Sequence, residues 1–142
     1  MNWKLLFLLS LFGLAMAFGT VYFIPSSVEP ICWGVIFLIC AYTIAKGAPS
    51  MHFLNGFVLG LFNCVWVTGA HVLLSDRYLS EHPREAMMMA NPNMPFGDNP
   101  KMAMLVIGPI VGIISGIVIG ILAWIMAKLF KSAPASAAPN RR

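Results

Sequence analysis

Residues 102–130 read MAMLVIGPIVGIISGIVIGILAWIMAKLF, with a single charge, Lys128, and glycine at every fourth position: Gly108, Gly112, Gly116 and Gly120. A run this long and apolar suits a helix that crosses the roughly 30 Å hydrocarbon core of a bilayer. Glycines four apart fall on one edge of that helix, and lacking side chains they let another backbone come close. The β-branched residues Ile110, Val111, Ile113, Ile114, Ile117, Val118 and Ile119 stand beside that edge and lose little rotamer freedom on packing. The stretch predicts a spanning helix built for tight contact in lipid.

The rest of the chain agrees. Of 142 residues, 59% are hydrophobic and 10% charged, with a mean hydropathy of +0.82, whereas soluble domains carry about 25% charged residues. Three further apolar segments, about 3–24, 28–46 and 51–74, join 102–130 to predict an all-α integral membrane four-helix bundle occupying residues 1–131. Lys4, the leucine-rich stretch after it and Ala15-Met16-Ala17 imitate a signal peptide, but the apolar run continues to Ile24 and is read as a retained span. Between spans three and four, the loop 75–101 is expected to form one short helix over Ser80–Ala90, with Pro83 at N1 and Glu85 in the first turn. Asn99-Pro100 reads as the cap and first residue of the last helix, and tilt or a kink at Gly108-Pro109 would absorb its excess length. Residues 132–142, rich in Ala, Pro and Ser, are expected to be a disordered cytoplasmic tail.

Charge sets the expected orientation. With the N-terminus inside, Lys4, Lys46, Lys128, Lys131, Arg141 and Arg142 lie on the inner side, against Arg77, Arg84 and Lys101 outside. Both termini are therefore expected in the cytoplasm, in a bacterial inner membrane. Because the basic residues sit at span ends and form no stripe, nucleic acid is not an expected partner. The lipid bilayer is, together with a second copy or another membrane protein docked through the fourth span.

Four groups of residues carry candidate chemistry. The helix-packing set is Gly108, Gly112, Gly116 and Gly120, with Gly56 and Gly60 on the third span repeating the spacing. The first span offers Ala15 and Gly19, or Gly13 and Ala17, as a further small edge. The third span is the most polar: His52, Asn55 and Asn63 share a face, with His71 turned away from it. An amide at the depth of Asn63 should face the bundle and bond across to another helix; alternatively the set lines a transport path. Met87, Met88, Met89, Met94 and His82 offer thioether and imidazole, soft ligands suited to Cu(I). Methionines would equally serve a helix lying on the membrane.

The three cysteines form no CxxC pair and read as small hydrophobes. No nucleophile elbow or HExxH motif is present. The sequence thus favours a non-enzymatic small membrane subunit or accessory protein without cofactor, acting through glycine-mediated packing. A small transporter or channel on the third span and an outer-face Cu(I) binder are the alternatives.

Overall fold

The computed structural model describes residues 1–93, 96 and 99–132, and it is all-helical over them. Four helices are long and apolar enough to cross a membrane: α1 (Trp3–Tyr22), α2 (Glu29–Gly47), α3 (His52–Leu73) and α6 (Pro100–Ser132). They form a four-helix membrane bundle. Two short helices, α4 (Ser75–Glu81) and α5 (Pro83–Met89), connect α3 to α6. The end of the bundle that carries them is called the loop end, and the other the terminus end.

The expected single loop helix is two. Pro83 does open α5, but its ring pushes the preceding residue out of helical geometry, and His82 takes φ −124 and ψ 69. That break ends α4 at Glu81. Asn99 caps α6 as read, its Oδ1 accepting from Met102 N at 3.2 Å. The helix runs unbroken through Pro109 and on to Ser132, the first residue assigned to the tail; residues 133–142 lie outside the described residues.

Everything is hung on an antiparallel α3–α6 pair. Gly56 faces Gly120, Gly60 faces Gly116, Cys64 faces Gly112 and Thr68 faces Gly108, so each four-residue step up α3 meets a four-residue step down α6. A Cβ on Gly56 would sit 2.6 Å from the Gly120 Cα, and one on Gly116 would sit 2.6 Å from the Phe57 carbonyl oxygen. Neither neighbour can move without moving a helix. The small residues are therefore what allow the two backbones to touch.

On its other side α3 meets α1 along Leu6, Leu9, Ser10, Gly13, Ala17 and Thr20, all buried. Of the two small edges offered by the first span, the Gly13–Ala17 edge is used, while Ala15 is exposed. Helix α2 packs mainly on α6, and its buried residues Cys40, Ala41 and Ile44 lie in the half nearer the terminus end. There they join Leu6, Leu9, Leu59, Ile119 and Ala123 in one closed core. The loop half of α2 has no buried residue. That asymmetry makes room for a site.

Replacing Gly60 by Leu should destabilise the bundle by about 3 kcal/mol, because the side chain must displace the α6 backbone. Alanine at Gly69, where an added Cβ meets nothing within 4 Å, should instead stabilise by about 0.5–1 kcal/mol through helix propensity alone. Equilibrium unfolding in bicelles checks both.

Candidate functional site: a half-open cavity beside Asn63

Where α2 diverges from α3 and α6, a half-open cavity of about 600 Å³ remains in the loop half of the bundle. Glu29, Trp33 and Phe37 wall it on α2; Val67 and His71 on α3; Ile107 and Val111 on α6. Tyr78 and Met89 reach it from the short helices, and Asn63 and Ser115 border it at mid-span. A volume of this size accommodates one drug-sized molecule. Toward the terminus end the space is filled by Leu59, Ile119 and their neighbours in the closed core.

The loop end is held by ring stacking. Tyr78, 6% exposed, lies between His71 (centroids 3.9 Å apart, planes at 21°) and His82 (4.4 Å, 20°). His71 Nε2 shares a 2.9 Å hydrogen bond with the Thr20 hydroxyl on α1, and His82 Nδ1 lies 3.0 Å from the Tyr78 carbonyl oxygen. Burial, with the Glu29 and Glu85 carboxylates nearby, pushes the Tyr78 hydroxyl above its ordinary range, so it stays a neutral phenol. Ser26 Oγ donates to Glu85 Oε2 at 3.0 Å and ties the α1–α2 link to α5. Along the α2 wall, Trp33 Nε1 donates to Glu29 Oε1 at 3.2 Å.

The polar residues anticipated on the third span separate by depth. Asn55 is fully buried at the terminus end and fully engaged. Its Oδ1 accepts from Asn2 N at 3.1 Å, and its Nδ2 donates to the carbonyls of Ser50 and Met51 at 3.2 and 2.9 Å. It braces Met51, a non-glycine residue at φ 56, and ties the start of α1 to the α2–α3 turn. Half-buried His52 stands beside it, away from the cavity. His71 lines the cavity mouth and Asn63 its floor.

Asn63 corrects one expectation. Its amide is 3% exposed, yet neither Nδ2 nor Oδ1 has a hydrogen-bond partner among the described residues. The anticipated interhelical bond is missing because the residue opposite is Gly13. That glycine offers no side chain, and its helix carbonyls are already committed. An α1–α3 hydrogen bond forms one turn away instead, from Trp66 Nε1 to Ser10 Oγ at 3.2 Å. Nothing in the sequence singled out Ser10 as that acceptor. An isolated serine in a leucine-rich run carries too little pattern to be singled out.

The glycines all face inward: Gly108, Gly112, Gly116 and Gly120 meet α3, while Gly56 and Gly60 meet α6. Cys64 and Thr68 complete that edge, and a small-residue spacing continued from Gly60 would have revealed them. The candidate Cu(I) ligands do not share one environment. Met87 and Met88 are 71% and 56% exposed, Met89 packs on the Val21–Tyr78–Met104 cluster, and His82 is 1% exposed within the ring stack. Met94 lies outside the described residues. Among those described, no group of three His, Cys, Asp or Glu is placed to hold a metal ion. Compared with known proteins, the chain matches no family model, no curated protein and no solved structure.

The two asparagines should respond oppositely to leucine. Asn55→Leu strands the Asn2 amide and the turn carbonyls, and should cost about 1–3 kcal/mol. Asn63→Leu removes an unpartnered amide at similar volume, and should be neutral or stabilising by about 1 kcal/mol. Unfolding in bicelles distinguishes them.

Proposed function

We propose that this chain is a non-enzymatic integral membrane protein that binds an apolar or amphiphilic molecule in the α2–α3–α6 cavity, acting as a small accessory or subunit. The observation that carries the reading is the cavity itself: about 600 Å³, walled mostly by apolar side chains, with Glu29, Thr68, His71 and Ser115 among its few polar lining residues. Pockets of this kind, largely hydrophobic with a few polar groups, are the usual form of small-molecule sites. The glycine series has a supporting role here. It makes α3–α6 a rigid wall against which α2 stands apart.

Orientation is part of the proposal. Lys46 lies 4.7 Å from the Tyr42 ring centroid, and Lys128 lies 3.8 Å from that of Trp124, both toward the terminus end. Cations paired with aromatic rings suit a membrane interface, and basic ends favour the cytoplasmic side. The cavity then opens in the outer half of a bacterial inner membrane. A carrier along the polar face of α3 is less well supported, since His52 and Asn55 lie beyond the closed core of Leu59 and Ile119. Association through the fourth span would have to use faces other than the glycine edge, which α3 already covers.

Photolabelling with a diazirine-bearing dodecanol, in phosphatidylcholine nanodiscs, tests the binding reading. Adducts at Phe37, Val67 and Ile107 should exceed those at the exposed Val35 and Val65 by about tenfold. Gly34→Phe should remove the excess. Gly34 lines the cavity, and an added Cβ there meets nothing within 4 Å, so the ring occupies the site without disturbing the fold. Labelling spread evenly over all exposed faces would refute a binding site.

A further inference from the structure

We propose that the cavity selects amphiphiles whose polar end is an ammonium group, with Glu29 as the counter-charge and Trp33 and Phe37 as its aromatic wall. The inference rests on the binding reading above and assigns its ligand class.

Charge complementarity decides the class. Glu29 is the one acid among the residues lining the cavity, and no Lys or Arg lines it among the described residues. The carboxylate sits half-buried in the first turn of α2, with the Trp33 indole N–H donating to Oε1 at 3.2 Å and fixing its direction. Beyond it, Trp33 and Phe37 stand one turn apart, ring centroids 5.6 Å apart and tilted at 51°. Indole is the best aromatic host for a cation, and quaternary ammonium recognition typically combines such rings with a low-dielectric surround. Tyr78 contributes its rim, because His71 and His82 cover its two faces. Glu85 lies near enough to Tyr78 to act on its hydroxyl, and its Oε2 accepts from Ser26 Oγ at 3.0 Å. The arginine of α4 is turned to another partner: Arg77 pairs with Glu81 at 3.0 Å.

Below this ring the walls turn apolar through Val67, Ile107 and Val111, and they end at Asn63. An elongated molecule with one cationic end and an aliphatic body matches that gradient, with its charge at the interface and its chain directed toward the bilayer centre. An anionic amphiphile would set its headgroup against Glu29. A neutral one would leave the carboxylate unanswered. Membrane amines with a single long chain and lipophilic ammonium compounds from outside share the required chemistry.

The test is competition for the cavity photolabel in the full chain, in phosphatidylcholine nanodiscs, by dodecyltrimethylammonium, dodecanol and dodecanoate. The ammonium should displace the label at about a tenfold lower concentration than dodecanol, and dodecanoate should be weakest. Glu29→Gln keeps the side-chain shape and the acceptor for Trp33, so the fold persists, and the advantage of the ammonium should vanish while dodecanol competes as before. Trp33→Leu should reduce the ammonium advantage several-fold. Partitioning into lipid is common to all variants and cancels when the ratio of ammonium to alcohol is compared between them. If alcohol and ammonium compete equally in the unaltered chain, or if the preference survives in Glu29→Gln, the ligand class is wrong while the binding site stands. A photolabel that never localises to the cavity removes both. Two further arms, sphingosine and benzyldimethyldodecylammonium, separate the membrane amine from the external compound: preferential displacement by either names the source, and displacement by neither overturns the assignment.

Discussion

Contact between the backbones of α3 and α6 is the constraint on which the other helices depend. In lipid there is no hydrophobic drive for helices to associate, since a leucine side chain gains nothing on leaving acyl chains for protein. Dispersion at short range and weak Cα–H···O contacts must supply the attraction. The geometry here serves both. Gly116 and Gly120 lie against the carbonyl oxygens of Phe57 and Phe53, where a Cβ could not be housed. Four successive small-residue pairs keep that proximity over about three turns. A contact of this length fixes the relative rotation and register of the two helices, and so fixes where every other face of α3 points.

The polar groups of α3 follow from that rotation. With one edge given to α6, the face carrying Asn55, Asn63 and Trp66 turns to α1. Near a helix end, a neighbouring segment still has spare carbonyls and amides, and Asn55 finds three partners there. Two turns further along, α1 is mid-helix with its backbone groups paired, and only a side chain could answer an amide. Ser10 does so for Trp66, whereas Gly13 cannot for Asn63. The difference between a satisfied and an orphaned asparagine is therefore one of depth. Both belong to the same helix and the same side-chain type.

This also explains what could be read from the sequence. The four spans, the Asn99 cap and the Pro83 helix start were legible because each rests on a local rule: apolar length, a capping side chain, a proline without N–H. The pairing of Gly56 and Gly60 with the fourth-span glycines was legible as complementary spacing. What could not be read is which groups end up opposite one another. The partners of Asn55 come from positions 2, 50 and 51, and the ring stack joins residues 71, 78 and 82 across a helix break. Such meetings depend on the rotation of whole helices. The Met87–Met89 run illustrates the converse, since three like residues in sequence are divided between exposed surface and packed cluster by helical geometry alone.

The cavity, too, has an origin in the chain, although no motif marks it. Helix α2 changes girth along its length. At the terminus half the residues it turns to α6 and α1 are Cys40, Ala41 and Ile44, which meet Ile119, Ala123 and Leu6 closely enough to bury them all. At the loop half the corresponding positions are Trp33 and Phe37, facing Ile107 and Val111. Those larger side chains stand across the cavity from α6 without closing on it, and α2 keeps no buried residue in that half. Helix α6 cannot move toward α2, because the glycine contact holds it to α3. The gap is thus what remains when a rigid pair is flanked by a helix that packs closely over only half its length, and Trp33 and Phe37 form its aromatic wall. The side chains that α2 presents there, Glu29, Trp33 and Phe37, therefore decide what can occupy the space.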